Sequence, residues 1–86
     1  MSTMGMQGQN VLIRTVTNYY TGYVVEETKR WLKLEKAAWI PDTGRFSTAL
    51  TTGQYSEVEP YPEAVVVMIA AIVDITTIKD VPTRLK

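Results

Sequence analysis

The sequence predicts an all-β domain, with at most a short N-terminal helix: a small, strongly bent, five-stranded antiparallel barrel. Residues 11–17 (VLIRTVT) and 64–78 (AVVVMIAAIVDITTI) are dense in β-branched types, which pack well on a pleated surface. Residues 19–27 (YYTGYVVEE) are aromatic and β-branched, yet Gly22 sits at their centre. A glycine inside a strand gives up side-chain packing and marks a bulge, a bend or a close backbone approach. Short strands close on themselves only if a long one curves, and Gly22 supplies the place to curve.

In chain order, residues 11–17 form the first strand, with Arg14 on the face of Leu12 and Val16. Asn18 is a turn residue. The second strand, 19–27, puts Tyr19, Tyr23 and Val25 on one face and Tyr20, Gly22 and Val24 on the other. The polar EETKR is a short connection, and 31–35 alternates again, with Leu32 and Leu34 inward and Trp31, Lys33 and Glu35 outward. Pro41, Asp42, Thr43 and Gly44 suit a hairpin turn, and residues 45–51 are an optional short returning strand within the variable loop that separates the third strand from the last two of the five. The segment TTGQYSEVEPYPE reads as loop because of its Gly, its prolines and its acidic residues. Residues 64–78 hold too many β-branched side chains for a good helix, so two short strands bent near Ala70 and Ala71 are expected. This divides the chain into a flexible or helical segment (1–9), a barrel (10–80) and a tail (81–86).

An 86-residue chain has a thin core, and self-association would add burial. With no cysteine, neither a disulfide nor a zinc-finger spacing is available, and packing carries the fold. The apolar run 64–73 falls short of the roughly 20 residues a membrane span needs, and the start has no secretory pattern, so a cytoplasmic protein away from membranes is expected. Formal charge is zero, but unevenly spread: Arg14, Lys29, Arg30, Lys33, Lys36 and Arg45 lie in the first half, Glu57, Glu59, Glu63, Asp74 and Asp80 in the second. Any anion site is therefore local. There is no histidine, no cysteine and no G-x-S-x-G, and Ser2, Ser47 and Ser56 have no evident base. The expectation is a binding protein rather than an enzyme, without cofactor or metal.

Tyr20-x-Gly22-x-Val24, followed by Trp31-Leu32-x-Leu34-x-x-Ala37, resembles the first motif of the Sm and Sm-like (Lsm) family, bacterial Hfq among them; residues 65–75, ending IVDI, resemble the second motif more weakly. The resemblance covers residues 11–78. It implies a Sm-like barrel of SH3 type, assembly into a closed homo-oligomeric ring, and binding of single-stranded RNA or DNA at the turns facing the pore. In the family an acidic residue in the polar turn, an Asn after the stacking residue and an Arg-Gly pair build the base pocket. Here Thr28 stands near the acidic position, no Asn follows Trp31, and Met68-Ile69 or Ala70-Ala71 takes the place of Arg-Gly. What the resemblance implies is therefore a site at Thr28, Lys29, Arg30 and Trp31, with Trp31 at the stacking position.

The chemistry agrees: an aromatic face stacks on any base, and adjacent Lys and Arg neutralise phosphate. The competing reading packs Trp31 in a subunit interface or over Met4 and Met6, with Lys29 and Arg30 paired to Glu26 and Glu27. In that reading the protein is a structural or adaptor ring of a viral or larger assembly.

Overall fold

Val11, Leu12 and Ile13 are consecutive and all buried, so the strand that holds them is covered on both faces. The computed structural model describes residues 4–86. Its elements are β1 (Asn10–Thr15), β2 (Tyr19–Glu27), β3 (Trp31–Asp42), α1 (Phe46–Thr52), β4 (Glu57–Pro60), β5 (Val65–Met68), a 3-10 turn (Ile69–Ala71) and β6 (Ile72–Thr77). They form one 6-stranded antiparallel sheet in the order β4-β3-β2-β1-β6, with β5 also paired to β3. The long β3 serves two partners: Trp31 to Leu34 pair with β5, and Ala38 to Asp42 with β4.

Two irregularities bend the β2–β3 hairpin. Thr21 faces Ala38 and Tyr23 faces Glu35, so Lys36 and Ala37 together oppose Gly22, and Lys36 takes a left-handed φ of 52°. Further along, Val24 faces Leu34 and Glu26 faces Lys33, which leaves Val25 as the extra residue on β2. Gly22 is the close-approach point: a Cβ there would stand 2.9 Å from Leu34 Cβ, 3.1 Å from Leu34 Cδ1 and 3.4 Å from Ala37 Cα. The strand is a glycine here because its neighbour's side chain occupies that space.

The bulge at Lys36 separates two cores. Leu32, Leu34 and Ala37 join Val11, Ile13, Val24 and Val67 in the first, which Met6, Tyr20, Val65, Ile69, Ile72 and Ile75 border. Ala38 and Ile40 join Leu12, Ala49, Tyr55 and Val58 in the second, bordered by Tyr19 and Ile78. The inward placement of Leu32 and Leu34, and the two strands bent at Ala70 and Ala71, agree with the sequence pattern.

Three segments differ from expectation. Residues 46–52 are helix rather than strand: Phe46, Ala49 and Leu50 fall on one helical face, Ala49 is buried, and Gly53 ends the helix at φ 73° with its N–H on the Ala49 carbonyl at 3.0 Å. Within the stretch expected as loop, Val58 is buried and β4 forms around it, an edge strand that tolerates Pro60 as its last residue. The strand count is therefore six, not five. The expected C-terminal tail returns to the sheet, since Val58 N–H donates to the Lys86 carbonyl (2.8 Å) and Lys86 N–H to that of Val58 (2.9 Å).

Of the N-terminal block, Met1, Ser2 and Thr3 lie outside the described residues, and the rest turns at Gln7 and Gly8 without helix. Gly8 N–H donates to the Val24 carbonyl (2.8 Å), Met6 N–H to Glu27 Oε1 (2.7 Å), and Met4 N–H to Glu27 Oε2. The segment thus packs along β2 rather than leaving it.

The second core encloses polar atoms without a partner. Thr21 Oγ1 and the Tyr55 hydroxyl are buried and unbonded among the described residues, and burial pushes the Tyr55 phenol above its ordinary pKa. A phenol whose folded pKa is raised contributes stability below the unfolded value of about 10 and loses it as pH climbs beyond that. Tyr55→Phe is expected to leave stability at pH 7 unchanged or raise it by about 1 kcal/mol, since an unpaired buried hydroxyl costs about 1–3 kcal/mol. The variant should also flatten the loss of stability above about pH 10. Urea titrations at neutral pH and at a pH just above the phenol range measure both.

Candidate nucleic-acid interface

The residues expected to bind nucleic acid form one turn between β2 and β3. Thr28 organises it: its Oγ1 accepts from Arg30 N–H (3.1 Å) and Trp31 N–H (3.0 Å), its hydroxyl lies 3.3 Å from the Trp31 carbonyl as donor, and its N–H donates to that carbonyl at 2.9 Å. A Thr hydroxyl that satisfies two backbone N–H groups fixes the corner without glycine. The EETKR break therefore becomes a tight turn that presents Lys29 and Arg30 to solvent.

Trp31 opens β3 and is half-buried. It stands opposite Met68, the last residue of β5, and the Arg30 carbonyl accepts from Ile69 N–H at 2.8 Å, which ties the turn to the 3-10 corner. Lys33, two residues on, shares Trp31's side of the strand and stands opposite Glu26 on β2 and Val66 on β5. The arrangement sets one indole among three cationic side chains, Lys29, Arg30 and Lys33. Met68 donates no hydrogen bond, so the position across from Trp31 offers apolar contact rather than readout of a base edge.

Glu26, opposite Lys33, is the neighbouring carboxylate left to compete for this charge, and it forms no ion pair among the described residues. Glu27, the nearest carboxylate in sequence, accepts the N–H groups of Met4 and Met6, and Arg14 with Asp74 is the only ion pair among the described residues. The alternative pairing of Lys29 and Arg30 with Glu26 and Glu27 is not formed, and Met6 packs on the first core. All four predicted residues, Thr28, Lys29, Arg30 and Trp31, are brought together. Lys33 and Met68 are the additions, and the period-2 alternation starting at Trp31 was the signal for Lys33.

Thr28→Ala is expected to destabilise the protein by about 1 kcal/mol, and Thr28→Ser to restore most of it, because only the hydroxyl is required; urea denaturation distinguishes the two. No group of three His, Cys, Asp or Glu side chains that could hold a metal exists among the described residues. No helix among them is long and apolar enough to cross a membrane. No protein-family model, curated protein or solved structure matches the chain.

Proposed function

We propose that the protein is a Sm-like barrel that assembles into a homomeric ring and binds single-stranded RNA or DNA at its 28–31 turns, acting in RNA or DNA processing. The observation that carries this reading is the turn itself. Thr28 holds Lys29 and Arg30 exposed beside a half-buried indole, and no carboxylate among the described residues neutralises them. Barrel closure is supported by topology: β5 and β6 stand at opposite ends of the path β5-β3-β2-β1-β6, yet only Ile69–Ala71 joins them. Self-assembly is supported by the free edges of β5 and β6 and by the exposure of Val66 (51 %), Met68 (50 %) and Val73 (55 %) on those strands. A ring would repeat a weak site, so a strand touching several copies gains by effective concentration.

The test is fluorescence anisotropy with poly(U), poly(A) and single-stranded DNA across a salt series. Trp31→Ala should weaken binding by about 1–3 kcal/mol for each stacked base. Lys29→Ala with Arg30→Ala should flatten the salt slope by about 0.7 for each phosphate that is no longer neutralised. Absence of binding at low salt, or binding untouched by these variants, refutes nucleic-acid recognition. Sedimentation velocity at micromolar concentration tests the ring separately, and a stable monomer refutes it.

The same exposed Val66, Met68 and Val73 support a second reading, an adaptor ring in a viral or larger assembly. A pull-down that recovers protein and no nucleic acid selects it.

A further inference from the structure

Two tryptophans lie on β3, and their surroundings carry opposite charge. Trp31 has Lys29, Arg30 and Lys33, against Glu26 opposite Lys33. Trp39, beyond the bulge, stands in register between Tyr20 on β2 and Glu59 on β4. On β4 the buried Val58 faces the second core, so Glu57 and Glu59 point to the opposite face, that of Trp39. The alternation continues past Pro60, because Tyr61 N–H still donates to the Ala37 carbonyl at 2.9 Å. The Tyr61 ring accordingly reaches the Tyr20 ring at 6.3 Å and 31°. Trp39 is 40 % exposed and Tyr61 37 %. Tyr61 also borders a depression of about 420 Å³ with Glu35, Lys36, Glu63 and Ala64.

This face therefore offers three aromatic rings, the half-buried Tyr20 among them, beside Glu57 and Glu59 and, at the Tyr61 depression, Glu35 and Glu63; the basic residues near it are Lys36 and Lys86, whose backbone pairs with Val58 between the two β4 carboxylates. None of these carboxylates is engaged in an ion pair among the described residues. Carboxylates beside an aromatic surface repel phosphate and attract a cation, which the negative faces of Trp and Tyr rings also favour. Guanidinium suits both features, since it stacks flat on an aromatic ring and pairs with carboxylate through a fork of N–H donors.

We propose that the Trp39 face of β3 and β4 is a docking surface for an arginine-bearing segment of a partner protein, separate from the 28–31 turn. The test is a ¹H–¹⁵N titration of the full chain with the peptide acetyl-Gly-Arg-Gly-Arg-Gly-amide and with its citrulline counterpart, which keeps the shape and removes the charge. The arginine peptide should shift the Trp39 indole and the amides of Glu59 and Tyr61. The citrulline peptide should bind at least about tenfold more weakly, and Glu57→Gln with Glu59→Gln should weaken arginine binding by about fivefold or more. Both Glu side chains are exposed, so the variant keeps the fold.

Four results would overturn the proposal: no shift up to millimolar peptide, equal binding of the citrulline peptide, indifference to the Gln variant, or shifts of these same resonances by oligo(dT). Movement of the same resonances on dilution alone would also overturn it, by showing that a second copy covers the face. Binding of nucleic acid at the 28–31 turn is read from the Trp31 indole and is scored independently.

Discussion

Gly22→Val should cost the protein much of its stability, and Gly22→Ala a smaller but measurable part. The alanine Cβ would lie 2.9 Å from Leu34 Cβ, a methylene bonded directly to its own backbone rather than the free end of a side chain. It would also stand 3.4 Å from Ala37 Cα, which the bulge at Lys36 brings against β2. Overpacking of a tight site costs about 1–3 kcal/mol and sometimes more. Opposing this, alanine stabilises by about 0.4–1 kcal/mol because it restricts the unfolded chain. The steric term wins, and valine, with two further methyl carbons, should lie at or beyond the upper end of that range. For a domain of this size each kcal/mol lowers Tm by about 4–8 °C.

Thermal melts of both variants check the order, Val below Ala below the parent. A second arm separates steric crowding from lost backbone freedom. Leu34→Ala alone opens a cavity at a fully buried position and should cost about 2–5 kcal/mol. Combined with Gly22→Val it should cost less than the sum of the two, since the valine methyls then occupy the space that Leu34 Cδ1 vacated. Strict additivity would mean that the two positions do not meet.

Gly22 also shows how much of the fold is legible in the sequence. A glycine inside an aromatic and β-branched run marks an irregularity in any sheet, and the pattern of Leu32 and Leu34 names the inward face. Both are local, period-2 signals. The 28–31 turn is legible for the same reason: its residues are contiguous, so one tight turn brings them together wherever the strands lie. The helix at Phe46–Thr52 is less legible, since its Ser and Thr residues favour no strong state. Its helical form depends on Ala49 meeting Leu12 and Ile40, neighbours distant in sequence. β4 is hidden similarly: Glu57, Glu59 and Pro60 read as breakers until Val58 finds the second core. The face around Trp39 combines residues from three strands through register alone, and no single stretch announces it.

The two-core arrangement leads to the second large effect. Leu12→Ala should destabilise the protein by about 2–5 kcal/mol, the range for deleting a buried leucine side chain. Leu12 is 2 % exposed and touches the layer made by Ala49, Tyr55 and Val58, while its neighbours Val11 and Ile13 face the other core. Alternation across a strand makes the two sets independent: removing Leu12 leaves the first core intact and strips away the packing that holds α1 and β4 onto the sheet. The loss is large against the roughly 5–15 kcal/mol that holds a typical domain together. Val16→Ala, 84 % exposed beyond the end of β1, should change stability by no more than about 0.5 kcal/mol. Hydrogen exchange adds a spatial readout, with amides of α1 and β4 losing protection before those of the β2–β3 hairpin. A Leu12→Ala variant within about 1 kcal/mol of the parent, or uniform loss of protection, would show that helix and sheet do not share a packed layer.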